Sequence, residues 1–208
     1  MLPIAQEAFP FILVLVIALI GVWYFKPVLA IIPLLLLLFI LFFFRDPERK
    51  IIANPRHILS PADGKVMAIT EYYDAEYFKG PVKKVTIFLT VLNVHINRSP
   101  ISGTVIYKEY RKGRFRPAFE EQASLLNERN TIGIANENCR VFVHQIAGLL
   151  ARRIVCRSKV GDYLEQGQRF GLIKFGSCTE IIVPAAVEIK VKKNDTVKGG
   201  LTVIGIIE

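Results

Sequence analysis

Residues 8–44 read AFPFILVLVIALIGVWYF, then Lys26-Pro27, then VLAIIPLLLLLFILFFF, and Lys26 is the one charge among them. As helices the two runs would extend about 25–27 Å each, against roughly 30 Å of bilayer hydrocarbon. Each is just sufficient to span, or slightly short. A pair of buried core helices is disfavoured at this hydrophobicity. A secretory signal fits badly, because no basic segment precedes the first run and no A-x-A cleavage site ends the pair. Two readings remain: a tight transmembrane hairpin turning at Lys26-Pro27, with Trp23 and Tyr24 at the interface, or a shallow hairpin that enters one leaflet and leaves again. Either returns the chain to its starting side. Arg45, Arg49, Lys50 and Arg56 follow at once, while no Lys or Arg precedes the first run. Positive residues stay inside, so residues 45–208 are expected in the cytoplasm, tied to the cell membrane.

Charge sharpens that division. The chain of 208 residues carries 27 Lys+Arg against 18 Asp+Glu, a formal net charge of +9. Glu7 and Lys26 cancel, so the whole excess belongs to residues 45–208. A basic part of this kind suits an anionic partner: nucleic acid, an anionic membrane surface or a phosphate-bearing substrate. Cys139, Cys156 and Cys178 are odd in number and form no C-x-x-C pair, which argues against a disulfide framework and against a zinc site. Small buried thiols in a reducing compartment are the simpler reading.

After Pro55 the apolar pattern changes to period two. KKVTIFLTVLNVHI (83–96), GTVIYKEY (103–110), TIGIANENCRVFVHQI (131–146), LIKF (172–175) and EIIVPAAVEIKV (180–191) are strand-like, with Gly, Pro and Asn between them. Helical signal is weak; AFEEQASLLNERN (118–130) suits one or two turns. Two short patterns recur. Pro61–Val66 and Pro100–Val105 share P-x-x-G-x-V, and 159–173 and 192–206 share K-x-x-D-x-x-x-x-G. Their glycines would let a tight turn take positive φ. The expected fold is mainly β (α+β), a compact barrel or sandwich with lipoyl-like strand–turn repeats, preceded by the helical hairpin. Residues 1–50 would form the anchor and its basic linker, and 51–208 the β-rich catalytic domain.

Three side chains at strand–turn junctions could carry chemistry. Asp63 precedes Gly64 in SPADGKV, and Asp-Gly alone reads as a turn. His95 ends a strand in LNVHINRSP, where a lone histidine is usually structural. Gly176-Ser177 interrupts the strand pattern of RFGLIKFGSCTEIIVP, yet lacks the second Gly of a G-x-S-x-G elbow. Asp, His and Ser together are the ingredients of an activated hydroxyl.

FFFRDPER (42–49), SPADGKV (60–66), NVHINRSPISG (93–103), NERN (127–130), QIAGLLARRI (145–154) and GQRFGLIKFGS (167–177), in this order, resemble the short, type-A phosphatidylserine decarboxylase proenzymes. The resemblance covers residues 42–208, and the hairpin before FFFRDPER suits that family too. It implies a precursor that cuts its own Gly176–Ser177 bond, leaving chains 1–176 and 177–208. The Ser177 hydroxyl would attack the Gly176 carbonyl, and the new N-terminus would become a pyruvoyl group. By the same resemblance His95 is the base and Asp63 orients it. The pyruvoyl carbonyl would then serve as the electron sink for decarboxylating the serine headgroup of phosphatidylserine or a related lipid to an ethanolamine headgroup. No metal or external cofactor is implied. Some longer members carry a second histidine three residues before the equivalent of His95. Here that position is Leu92, which leaves His95 itself, water, His57 or His144 as proton donors. Cys178 receives no role. The two chains should stay together, because 180–191 is too apolar to leave the sheet.

YRKGRFRPAF (110–119) interleaves Arg111, Lys112, Arg114 and Arg116 with Phe115 and Phe119, and Arg152-Arg153 form a second cluster. Arg111, Arg114, Arg116, Arg152 and Arg153 are the candidates for lipid phosphate, each cation near an anionic leaflet adding about 1 kcal/mol; for any one of them a solvated loop is an equal reading. No nucleic-acid-binding motif is present. A homodimer is compatible with the chain. Two other functions fit the same residues: a membrane-anchored serine hydrolase using Ser177, His95 and Asp63 without cleavage, and a non-enzymatic lipoyl-like membrane adaptor.

Overall fold

From Arg49 onward the alternation of apolar and polar residues resolves into short strands, while the N-terminal apolar runs resolve into helices. The computed structural model describes residues 4–114, 116, 126–148, 153–174 and 177–207. It divides into two compact units, Met1–Glu48 and Arg49–Glu208.

In the first unit a short 3-10 turn leads into α1 (Phe9–Phe25), and a second 3-10 turn, Pro27–Ala30, leads into α2 (Ile31–Phe43). Pro10 and Pro27 sit in first turns, where the missing N–H costs nothing. Lys26 leaves helical geometry and its N–H closes α1 on the Val22 carbonyl. Small residues, Ala8 and Ala30, are buried with Pro33, Ile40 and Phe43. Most Leu and Ile side chains point outward; Ile17 is 62% exposed. The hairpin ends meet, with the Ala5 N–H donating to the Phe44 carbonyl at 2.8 Å and Ile4 bridging Arg45. The run Gln6–Phe25 is long and apolar enough to cross a membrane, and Pro27–Phe43 is shorter.

The second unit is mostly β, as the period-two pattern predicts, and its main sheet curls into a half-barrel. In chain order the strands are β1 (His57–Leu59), β2 (Gly64–Asp74), β3 (Gly80–Leu89), β4 (Ile96–Arg98), β5 (Gly103–Arg111), β6 (Arg129–Ala135), β7 (Arg140–Ala147), β8 (Arg153–Cys156), β9 (Tyr163–Leu164), β10 (Arg169–Lys174), β11 (Ser177–Pro184), β12 (Glu188–Ile189), β13 (Thr196–Val197) and β14 (Val203–Ile206). Eight form one sheet in the order β13-β2-β3-β11-β7-β6-β5-β9. The others form two three-stranded sheets, β4-β10-β8 and β1-β14-β12. The concave face of the large sheet holds the core: Val85, Ile87, Val143, Ile132, Ile181 and Val183 are fully buried.

The sequence repeats are structural repeats. Lys159 N–H donates to Asp162 Oδ2 at 2.8 Å, and Lys192 N–H to Asp195 Oδ2 at 2.9 Å. Each turn delivers a two-residue strand, β9 onto Gly103-Thr104 and β13 onto Gly64-Lys65. Both P-x-x-G-x-V segments are seated alike. Ser60 exchanges main-chain bonds with Gly200 and Thr202, and Ser99 with Gly167 and Gln168. The Ser60 and Ser99 hydroxyls each donate to the carbonyl two residues on, at 2.7 Å. Gly167 and Gly200 take φ of +79° and +73°, as their turns require. The half-barrel is thus an internal duplication in which Asp63 corresponds to Ser102.

Two expectations change in detail. The stretch 83–96 is not one strand: β3 ends at Leu89, where the Asn93 side chain accepts from the Thr90 N–H and hydroxyl and closes a turn before β4. The longest strand, β2, has eleven residues and was not anticipated. The helix expected over 118–130 falls largely on 118–125, outside the described residues.

Candidate active site

Ser177 is the first residue of β11, in register with Leu89 of β3 and Ala147 of β7. Two-residue periodicity puts its side chain on the face shared by Thr179, Ile181 and Val183. It is fully buried, and its Oγ has no hydrogen-bond partner among the described residues. Leaving a buried hydroxyl unpaired costs on the order of 1–3 kcal/mol, so its retention here calls for a reason. Gly176, the other half of the expected scissile bond, lies outside the described residues.

His95 directly precedes β4 of the β4-β10-β8 sheet. Its carbonyl accepts from the Ile173 N–H at 3.2 Å. Ile173 packs on Ala147, the register partner of Ser177. The His95 main chain is thus bonded to β10, and β10 packs on β7, the strand that pairs with Ser177. His95 Nδ1 lies 2.9 Å from the Asn93 carbonyl. A carbonyl only accepts, so Nδ1 carries a proton, and in the neutral form of the ring the lone pair lies on the buried Nε2. That is the tautomer a base requires.

Asp63 precedes Gly64, where a Cβ would overlap the Phe88 carbonyl oxygen; β2 can therefore begin against β3 only with glycine there. The Asp63 carboxylate takes a two-pronged grip from Arg49, Nη1 to Oδ1 at 2.6 Å and Nη2 to Oδ2 at 2.8 Å. The Gly199 N–H adds 2.8 Å to Oδ1, and Arg49 Nη1 also donates to the Gly199 carbonyl. The partners the structure gives Asp63 are thus Arg49 and Gly199, and the partner at His95 Nδ1 is a main-chain carbonyl. Sequence reading missed the role of Arg49. It closes the FFFRDPER motif, but a lone Arg after an apolar hairpin looks like an interfacial cation, and nothing local distinguishes a buried one. In the second half of the duplication the Gln166 N–H meets the Ser102 hydroxyl at 3.0 Å, as Gly199 meets Asp63. That half has no carboxylate in the corresponding place.

The remaining candidates are placed as follows. His144 is buried beside Thr131, Oγ1 to Nδ1 at 2.9 Å. It pairs with Glu180, one residue out of phase with Ser177, and so projects from the opposite face of the sheet. Burial, and then the charges of Arg129, Lys84 and Arg111, hold its pKa well below the ordinary value. Leu92 is 65% exposed on its turn. Burial and the nearby Glu180 push the Cys178 thiol up, which keeps it protonated. Arg111 is paired with Glu76 and, at 2.8 Å, with Glu109, so its charge is already matched by carboxylates. Arg114 and Arg116 are tied through their main chains to the 126–128 segment, Arg153 opens β8, and Arg152 lies outside the described residues.

Comparison with known proteins points one way. The family model of phosphatidylserine decarboxylase matches residues 36–205. A protein of Carboxydothermus hydrogenoformans named phosphatidylserine decarboxylase proenzyme is 50% identical over 192 residues, covering 92% of this chain and 88% of the relative. Proteins of the same name from Symbiobacterium thermophilum and Geotalea uraniireducens are 47% and 40% identical, covering 97% and 99% of this chain and 94% and 97% of theirs.

Proposed function

The chain belongs to the phosphatidylserine decarboxylase family and is a decarboxylase; on that premise we propose that it matures by cutting itself at Gly176–Ser177 and decarboxylates phosphatidylserine through a pyruvoyl group made from Ser177. The observation that carries this reading is the fully buried Ser177 hydroxyl, which has no hydrogen-bond partner among the described residues.

His95 Nε2 takes the hydroxyl proton, and Ser177 Oγ attacks the Gly176 carbonyl carbon. The C–N bond breaks, the nitrogen takes a proton, and the amide becomes an ester. A base, again His95, removes the Ser177 Cα proton. The Gly176 carboxylate leaves, and residue 177 is left as dehydroalanine. Water adds to its imine form, ammonia departs, and a ketone remains at the new N-terminus. Asp63, fixed by Arg49, steadies the positive charge that develops on His95 in the reacting state. Burial of Ser177 keeps bulk water from the ester, favouring elimination over simple hydrolysis.

The residues around Ser177 fit such a group. It is created in place on β11, whose ladder to β3 and β7 runs from Ser177 onward, so the small chain stays bound after cleavage. When present, the pyruvoyl carbonyl supplies the electron sink for loss of carbon dioxide from the serine headgroup. Holding the headgroup and returning a proton fall to the chain, and His95 is proposed for the proton. Arg114, Arg116 and Arg153 are proposed for lipid phosphate, and the apolar hairpin for membrane attachment with the β unit in the cytoplasm.

Release of carbon dioxide from phosphatidylserine in detergent micelles tests the reading. Purified wild type should release it, and Ser177→Ala should not. Equal release by Ser177→Ala would remove Ser177 from the reaction. A hydrolase that cleaves lipid esters without releasing carbon dioxide would instead favour the serine-hydrolase alternative.

A further inference from the structure

On the concave face the core is aliphatic except at one end, where four buried polar side chains replace it. Asn130 Nδ2 donates to Gln145 Oε1 at 2.8 Å, Gln145 Nε2 donates to Asn97 Oδ1 at 2.9 Å, and Asn97 Nδ2 donates to Thr179 Oγ1 at 3.1 Å. A longer contact, 3.4 Å, runs from Asn97 Nδ2 to the Pro61 carbonyl. Asn97, Thr179 and Gln145 are fully buried, and Asn130 nearly so. The mechanism proposed above gives them no part.

Their spacing is what matters. Asn97 lies two residues after His95, Thr179 two after Ser177, and Pro61 two before Asp63. Ser177 and Thr179 both lie in β11, so they share a face and stand about 6.6–6.8 Å apart; His95 directly precedes β4, which carries Asn97, and Pro61 and Asp63 share one bend. One amide thus ties the His95 strand, the Ser177 strand and the Asp63 loop together, each one step from its reactive residue. The orientation of the amide is dictated by its neighbours. The Pro61 carbonyl can only accept, so the nitrogen must face it and the oxygen must face Gln145. Only a primary amide offers two donors and an acceptor on one planar group. A network satisfied in this way is rigid and specifies one arrangement.

We infer that Asn97 is the positioning residue that sets His95 and Ser177 relative to each other for the self-cleavage step, acting chiefly through its bond to Thr179. The inference rests on the self-cleavage reading and deepens it. Asn97 itself touches no reacting atom; it acts through the two strands it joins. Since a misplacement of 1 Å can cost about 100-fold in rate, loss of this bond should appear in the cleavage rate out of proportion to any change in stability.

The test follows cleavage of the full-length precursor on denaturing gels after cell-free synthesis into detergent, with melting temperature measured in parallel. Thr179→Val keeps shape and β-propensity but removes the hydroxyl, and should slow cleavage about 100-fold. Thr179→Ser keeps the hydroxyl and should cleave within several-fold of wild type. Asn97→Ala combined with Thr179→Val should cleave no more slowly than Asn97→Ala alone, because both remove one bond. Wild-type rates in Thr179→Val, equal slowing in Thr179→Ser, or multiplying losses in the double variant would each overturn the inference while leaving self-cleavage intact. A wild-type precursor that stays whole would overturn the cleavage reading, and this inference with it.

Discussion

Replacing Arg49 by Ala should destabilise the β unit far more than loss of a surface cation would. The Arg49 side chain is 7% exposed and that of Asp63 12%. Arg49 places two charge-assisted bonds on Asp63 and a third on the Gly199 carbonyl, while Asp63 also receives the Gly199 N–H. Removing one member of a buried pair strands the other, at a cost of about 3–5 kcal/mol. An exposed pair would cost about 0–1 kcal/mol. At roughly 2–4 °C per kcal/mol for a domain of this size, the melting temperature should fall by about 6–20 °C. The assay is best run in a Ser177→Ala background, so that no cleavage alters the chain during heating. Arg49→Lys supplies charge without the two-pronged geometry and should recover part of the loss. Arg49→Met with Asp63→Leu should recover most of it, because no charge is then left buried. A fall of less than 2 °C in Arg49→Ala would refute the argument that this pair organises the Asp63 loop.

Two further outcomes follow from the site. Ser177→Ala should remain one chain on a denaturing gel, and His95→Ala should remain largely uncut over minutes, rapid processing of it showing that His95 has another role; Asp63→Asn should also be cut more slowly, through loss of the carboxylate charge held by Arg49 and Gly199 rather than of a bond to His95, whose Nδ1 meets the Asn93 carbonyl. His144, whose folded pKa is depressed by burial, binds a proton more readily when unfolded, so its contribution to stability is intact above about pH 6.5 and is lost as pH falls. Relative to His144→Gln, the wild type should lose stability between pH 7 and pH 5, measured by denaturant midpoints at each pH; parallel curves would show that His144 takes up its proton in the fold as readily as in the unfolded chain.

The strand alternation, the hairpin and the two repeats were legible because each is a local pattern with one physical cause. K-x-x-D closes the same turn twice, through Asp162 and Asp195, and P-x-x-G-x-V opens the same strand twice. β2 was not legible: GKVMAITEYYD mixes Glu, Tyr and Thr with few aliphatics, and several of its later residues are exposed. The three reactive candidates were found as residue types, and the fold ties the segments that carry Ser177 and His95 through the Asn97–Thr179 bond. Arg49 and the Asn97–Thr179–Gln145 network could not be found that way. Their partners lie from 14 to 150 residues away along the chain, and a buried amide in a strand looks like any exposed one until the sheet is closed around it.

The central claim is that residue 177 becomes a carbonyl, and the mass of the small chain under denaturing conditions tests it most directly. A chain of residues 177–208 should appear with a mass about 17 Da below that of the same peptide bearing a free N-terminal Ser, because the amine is replaced by a ketone and the hydroxyl is lost. It should also resist stepwise N-terminal degradation, having no amine. A small chain of full serine mass with an ordinary free amine, in a preparation that still releases carbon dioxide from phosphatidylserine, would contradict the account.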